Sequence, residues 1–112
     1  LAAMHRALHG TRVERAEAIS TAAMEGDRQA EETYQLFTEL FGLLLRELAL
    51  RFMPLEGMFL AGSVARSFAH RTASLEAAFL AEPYMREITE NTPLLLIRDD
   101  MAALQGCLAA IT

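Results

Sequence analysis

Lysine is missing from this chain of 112 residues, in which all ten basic side chains are arginine. No side chain here can form a Schiff base or act as the lysine that holds a phosphate. A single cysteine, Cys107, excludes an internal disulfide and any metal cluster of several thiolates, and it fits a reducing compartment. No apolar run approaches the roughly 18 residues of a membrane span, and no basic stretch leads into an apolar one as in a signal peptide. Positive charge is sparse: the ten arginines are scattered and outweighed by fifteen acidic residues, for a net charge of −5. That leaves no electrostatic footprint for nucleic acid or an anionic membrane, so neither is expected as a partner.

What is present is apolar surface in abundance, 53% of residues, on a length that suits one domain or one layer of a larger body. Residues 1–9 read as a helix ended by Gly10. Thr11 is expected to open a second helix, with Glu14 completing a capping box and Val13, Ala16, Ile19 and Ala23 at helical spacing as far as Gly26. Asp27 then caps a long helix over about 28–52, in which Ala30, Tyr34, Phe37, Phe41, Leu44 and Leu48 recur every three or four residues. Around Leu43, Leu44 and Leu45 that helix is apolar on most sides and is expected to be buried from several directions. Pro54 ends it.

Two short apolar runs follow, GMFLA at 57–61 and LLLI at 94–97, each suited to a buried strand. Between them lie a turn and short helix over 63–70 and two more helices over 74–81 and 83–90, with Pro83 in the first turn of the latter. Asp99 or Asp100 caps a closing helix over about 100–111. The order of helices, strand, helices, strand and helix is an α/β pattern. Two strands alone are marginal, so the sheet is expected to be incomplete within these residues, and the uncovered surface to favour self-association.

Few residues form a constellation with chemistry. His5 and His9 stand four apart on one helix face, a spacing that binds metal, but no acidic third ligand falls at a fitting offset, and surface histidines are the plainer reading. Cys107, between Leu104, Leu108 and Ile111, reads as a buried structural thiol. Asp99 and Asp100 at a strand end suit a base or a metal, but suit helix capping better. No phosphate loop of the P-loop or dinucleotide type is present. The strongest signal is GMFLAGSVARS itself, a strand that runs through Gly62 and Ser63 into a helix. Open α/β sheets take ligands at the carboxyl ends of their strands, and glycine there permits positive φ and close backbone approach.

Set in order, the segments LAAMHRAL (1–8), ISTAAMEGD (19–27), YQLFTELFGLLLRELAL (34–50), GMFLAGSVARSF (57–68) and AAFLAEPYMREITENTPLLLIRDDMAALQG (77–106) resemble the C-terminal portion of the bacterial glucokinases. These are sugar kinases of the actin-like ATPase (ribonuclease H-like) fold. The resemblance implies that residues 1–112 are one segment of a kinase lobe. It also implies ATP-dependent phosphorylation of glucose or another hexose in the cytoplasm by a homodimer, with Mg²⁺ on the nucleotide. It places Ala61, Gly62, Ser63 and Val64 at the adenosine, with Leu1 and its neighbours beside them, and it places no catalytic residue in this chain.

Departures are visible. Ser63 stands where the family has the second glycine of AGG, no proline stands beside Arg66, and Ala102 and Gln105 replace residues of a glycine-rich ending. Two readings follow. One is the adenosine side of an active kinase, inactive by itself; the other is a non-catalytic relative that serves in structure, dimerisation or sugar sensing.

Overall fold

The computed structural model describes all of residues 1–112. The chain runs α1 (Ala2–His9), α2 (Ala16–Met24), α3 (Arg28–Phe52), β1 (Met58–Leu60), α4 (Ser63–Ser67), a 3-10 turn (Phe68–His70), α5 (Thr72–Phe79), α6 (Arg86–Glu90), β2 (Leu94–Leu96) and α7 (Ala102–Ile111). The two apolar runs are adjacent parallel strands in the register Met58↔Leu94, Phe59↔Leu95, Leu60↔Leu96. Bonds from Met58 N–H to Pro93 O and from Ile97 N–H to Leu60 O, both 2.8 Å, extend the ladder at either end. Gly57 enters β1 with φ 108°, and a Cβ on it would lie 2.8 Å from Pro93 O, so both conformation and space demand glycine.

α3 is the spine. Asp27 Oδ1 accepts the Ala30 N–H at 2.8 Å, which satisfies one of the donors left free at a helix start. Met53 closes the helix in the left-handed region at φ 45°, its N–H bonded to Ala49 O, just ahead of Pro54. The buried face carries Ala30, Thr33, Tyr34, Thr38, Gly42, Leu45 and Ala49. The expected stripe through Leu44 and Leu48 is therefore displaced by one residue in the second half of the helix. Leu45 is 3% exposed, whereas Leu44 is 51% exposed and Leu43 is exposed as well. The cause is Gly42, against which α5 packs backbone to backbone: a Cβ there would fall 2.6 Å from Ala78 Cβ and 3.1 Å from Leu75 O. Small residues at 42 and 49 let α5 approach on that face, and the burial follows the close approach rather than the larger side chains.

The main core joins Leu45 and Ala49 to Phe68, Leu75 and Phe79, with Phe37, Phe41, Leu80 and the inner sheet residues Met58, Leu60 and Leu94 packed around it. Phe37 and Phe41 stack face to face on Phe68, with centroids 5.8 and 4.8 Å away. A second cluster, Ile19, Ala23, Ala30 and Tyr34, holds α2 on α3. The outer face of the sheet, Phe59 and Leu95, is exposed, although both runs read as strands buried on each side.

Several expectations change. The segment Thr11–Arg15 is not helical; α2 starts at Ala16, and no capping bond forms at Thr11. Those residues carry the chain from the end of α1 to α2 while Val13 packs on the second cluster. Pro83 lies ahead of α6 rather than in its first turn, because Glu82 Oε1 accepts the Tyr84 N–H at 3.1 Å and holds a turn there. α7 has no buried residue, so Cys107 is exposed and not a core thiol. His5 is buried rather than superficial.

Candidate functional site

The carboxyl ends of both strands open on one side of the molecule. Beyond Leu60 the chain passes through Ala61 and Gly62 into α4; beyond Ile97 it passes through Arg98 and Asp99 towards α7. Arg66 on α4 forms an ion pair with Asp100, which ties the two exits together. Asp99 takes the capping role: its Oδ1 accepts the Met101 N–H at 2.8 Å, and its Oδ2 accepts from Gln105 Nε2 at 3.1 Å.

Ala61, Gly62, Ser63 and Val64 all lie exposed along this edge. Gly62 has φ 97° and ψ 171°, a region closed to residues with a Cβ, yet a Cβ there would meet nothing within 4 Å. The glycine is needed for backbone conformation and not for space. Ser63 is already the first residue of α4, so the departure from a double glycine falls at a position that tolerates a side chain.

A cleft between α2 and α4 brings Ser63, Val64 and Ser67 together with Leu1, Ala16, Glu17 and Ser20. Its wall on the α4 side is held from α3. Tyr34 Oη donates to Ser67 Oγ at 2.5 Å, and Ser67 Oγ donates to Val64 O at 2.6 Å. Arg71 lies 4.5 Å over the Tyr34 ring and grips Glu31 with both guanidinium NH2 groups, Nη1 to Oε1 at 2.7 Å and Nη2 to Oε2. Burial pushes the Tyr34 hydroxyl above its ordinary value, outweighing the Ser67 hydrogen bond and the Arg71 charge, so at neutral pH it remains a donor. The Arg71 hydrogen bond holds the Glu31 carboxyl below the usual range, and the same bond raises Arg71.

Sequence reasoning had Tyr34 only as a core residue and passed over Ser67 and Arg71. No local pattern marks them, because Tyr34 and Ser67 are 33 positions apart and Glu31 and Arg71 are 40 apart.

The His5–His9 pair is structural. Thr33 Oγ1 spends its proton on Gln29 O, so His5 must donate through Nδ1 to Thr33 Oγ1, 2.7 Å away. His9 Nε2 sits 3.9 Å from Glu32 Oε2 without a hydrogen-bond partner. No group of three or more His, Cys, Asp or Glu side chains is arranged to hold a metal ion.

With this geometry in place, comparison with known proteins is direct. The family model described as Glucokinase matches residues 1–112. A glucokinase of Nostoc punctiforme is 34% identical over 92 residues, covering 80% of this chain and 27% of that protein. A glucokinase of Chelativorans sp. is 33% identical over 94 residues, 81% of this chain and 28% of its own length. One of Brucella suis is 34% identical over 91 residues, 79% and 26% respectively. The chain thus spans about 27% of the length of the first of these relatives. No solved structure is a match for it.

Proposed function

This chain belongs to the glucokinase family, and we propose that residues 1–112 supply the adenosine side of a cytoplasmic, homodimeric kinase that transfers phosphate from ATP to glucose or a related hexose. The observation that carries the assignment is the passage from β1 through Gly62 into α4. It lies at the carboxyl end of a parallel strand, where open α/β sheets take ligands, and it faces the cleft against α2.

The cleft suits an adenosine. Leu1, Ala16 and Val64 offer apolar surface to a flat ring, and Ser20, Ser63 and Ser67 offer hydroxyls to its polar edge. The phosphates are a different matter: the chain has no lysine, no glycine-rich phosphate loop and no acidic cluster for a cation. Mg²⁺ would therefore come with the nucleotide and be held outside these residues. ATP supplies the phosphoryl group; residues 61–64 bind and orient its adenosine end, and transfer of this kind depends mostly on such positioning. The sheet's outer face supports the same view, since Phe59 is 63% exposed and an apolar sheet surface of this kind functions covered.

The non-catalytic alternative drew its support from Ser63 in place of glycine. Positive φ at Gly62 with helical conformation at Ser63 removes that support, because the turn survives the substitution.

The test is glucose-dependent ADP formation by the whole protein that contains these residues, with Val64→Trp beside the wild type. Val64→Trp fills the cleft and is expected to raise the KM for ATP about tenfold, the effect of roughly 1.4 kcal/mol, without changing the KM for glucose. Absence of turnover with any hexose would end the kinase reading. Turnover with an unmoved KM for ATP would end the assignment of this edge.

A further inference from the structure

The hydroxyl protons in the cleft are already committed. Val64 O can only accept, so the 2.6 Å bond from Ser67 Oγ uses the serine's proton, and Tyr34 Oη must then be the donor in its own bond to Ser67 Oγ. In the same way Ser20 Oγ spends its proton on Glu17 O at 3.0 Å. A hydroxyl carries one proton and two lone pairs. Ser67 is left with one free lone pair and Ser20 with two, and neither has a proton to offer. Towards a ligand in the cleft both are acceptors only.

We propose that Ser67 and Ser20 set the nucleobase preference of this edge, selecting a purine whose 6-position donates a hydrogen bond, the amino group of adenine, over one whose 6-position accepts, the oxo group of hypoxanthine or guanine. This inference rests on the adenosine reading above and deepens it. An amino group pairs with the free lone pairs. An oxo group sets lone pair against lone pair, and relief requires breaking the Ser67–Val64 or the Ser20–Glu17 bond. Ser63, one turn before Ser67 on α4, has no such tie; its hydroxyl turns to suit either edge, so the choice falls on the other two serines.

Tyr34 has a separate part as a positioning residue. Its hydroxyl reaches from α3 to hold Ser67, and Arg71 and Glu31 hold its ring. Loss of that hydroxyl frees a second lone pair on Ser67 without supplying a proton. Acceptor character is kept while the wall of the cleft loosens.

The experiment compares ATP with ITP as phosphate donor in the whole protein at saturating glucose, in the wild type and in Ser67→Ala, Ser67→Thr and Tyr34→Phe. The wild type is expected to show a KM for ITP about tenfold above that for ATP, the scale of one hydrogen bond won or lost at a partly exposed site, with similar kcat. Ser67→Ala should bring the two KM values within about threefold of each other, and Ser67→Thr should restore the difference. Tyr34→Phe should raise both KM values together and keep their ratio. Equal KM values for ATP and ITP in the wild type would overturn the inference. So would a ratio unchanged in Ser67→Ala, or one abolished in Tyr34→Phe. If Ser67→Ala does not fold, direct competition of adenosine and inosine for the wild-type protein decides the point, with inosine binding as tightly as adenosine counting against it. The adenosine reading fails separately, by an unmoved KM for ATP in Val64→Trp, and it survives any outcome with ITP.

Discussion

Glu31 and Arg71, 40 residues apart, meet in a two-pronged ion pair that closes α3 over the start of α5, with the guanidinium lying on the ring of Tyr34. Through Tyr34 and Ser67 the same contact reaches Val64 O, so the candidate site's wall is braced by residues outside the cleft.

The pair makes stability depend on acid pH. Arg71 depresses the Glu31 pKa below its unfolded value, so the stabilisation is fully present above that unfolded value, near 4.5, and is lost as pH falls through the lower folded one. Glu31→Gln is expected to cost about 0.5–1 kcal/mol at neutral pH, a figure reduced for screening because the carboxylate is 47% exposed. The gap between variant and wild type should close below pH 4. Urea midpoints across pH 3–7 would check it, and a gap independent of pH would contradict it.

Gly42→Ala should destabilise the fold although alanine is the better helix former. The added methyl meets Ala78 Cβ at 2.6 Å and backbone of α5 close behind, so α3 and α5 must separate. A cost of about 1–3 kcal/mol is expected, against less than about 1 kcal/mol for Leu44→Ala on the exposed side. Thermal melts of the two variants would show the contrast.

Gly62→Ala and Ser63→Gly should move nucleotide affinity in opposite directions. The first forces a Cβ into φ 97°, ψ 171°, a strain of about 1–3 kcal/mol that turns the entry to α4 and raises the KM for ATP. The second clears the mouth of the cleft and should lower that KM about twofold to fivefold, the effect of up to roughly 1 kcal/mol. Steady-state kinetics with ATP varied at fixed glucose would read both.

Cys107 should react with a thiol reagent in the native chain of residues 1–112 as readily as in the unfolded one, since α7 buries nothing. The same preparation should self-associate through Phe59 and Leu95, and Phe59→Glu should shift it towards monomer. Thiol titration and sedimentation at several concentrations measure the two effects.

Much of the chain was legible before the structure. Gly10, Asp27, Pro54 and Gly57 announce the boundaries of α1, α3 and β1, because backbone chemistry acts within a few residues. The two apolar runs announce strands, and Gly62 announces the turn that the candidate site is built on. The capping box at Thr11–Glu14 misled, since its pattern is equally at home in the extended segment that brings Val13 onto the second cluster.

Periodicity alone determined that α3 is amphipathic, and local residues determined where it begins and ends. Which leucine of Leu43, Leu44 and Leu45 faces inward depended on where α5 could come closest, and that was settled by the missing side chain of Gly42. The burial of His5 and the exposure of Cys107 were decided in the same way, by which helix has a neighbour. The proton order through Tyr34, Ser67 and Val64 is the plainest case: each residue's chemistry can be read from its type, but the direction of the bonds exists only once α3 and α4 are packed together. Short-range chemistry is written along the chain, whereas contacts between distant residues are fixed by the geometry of packing.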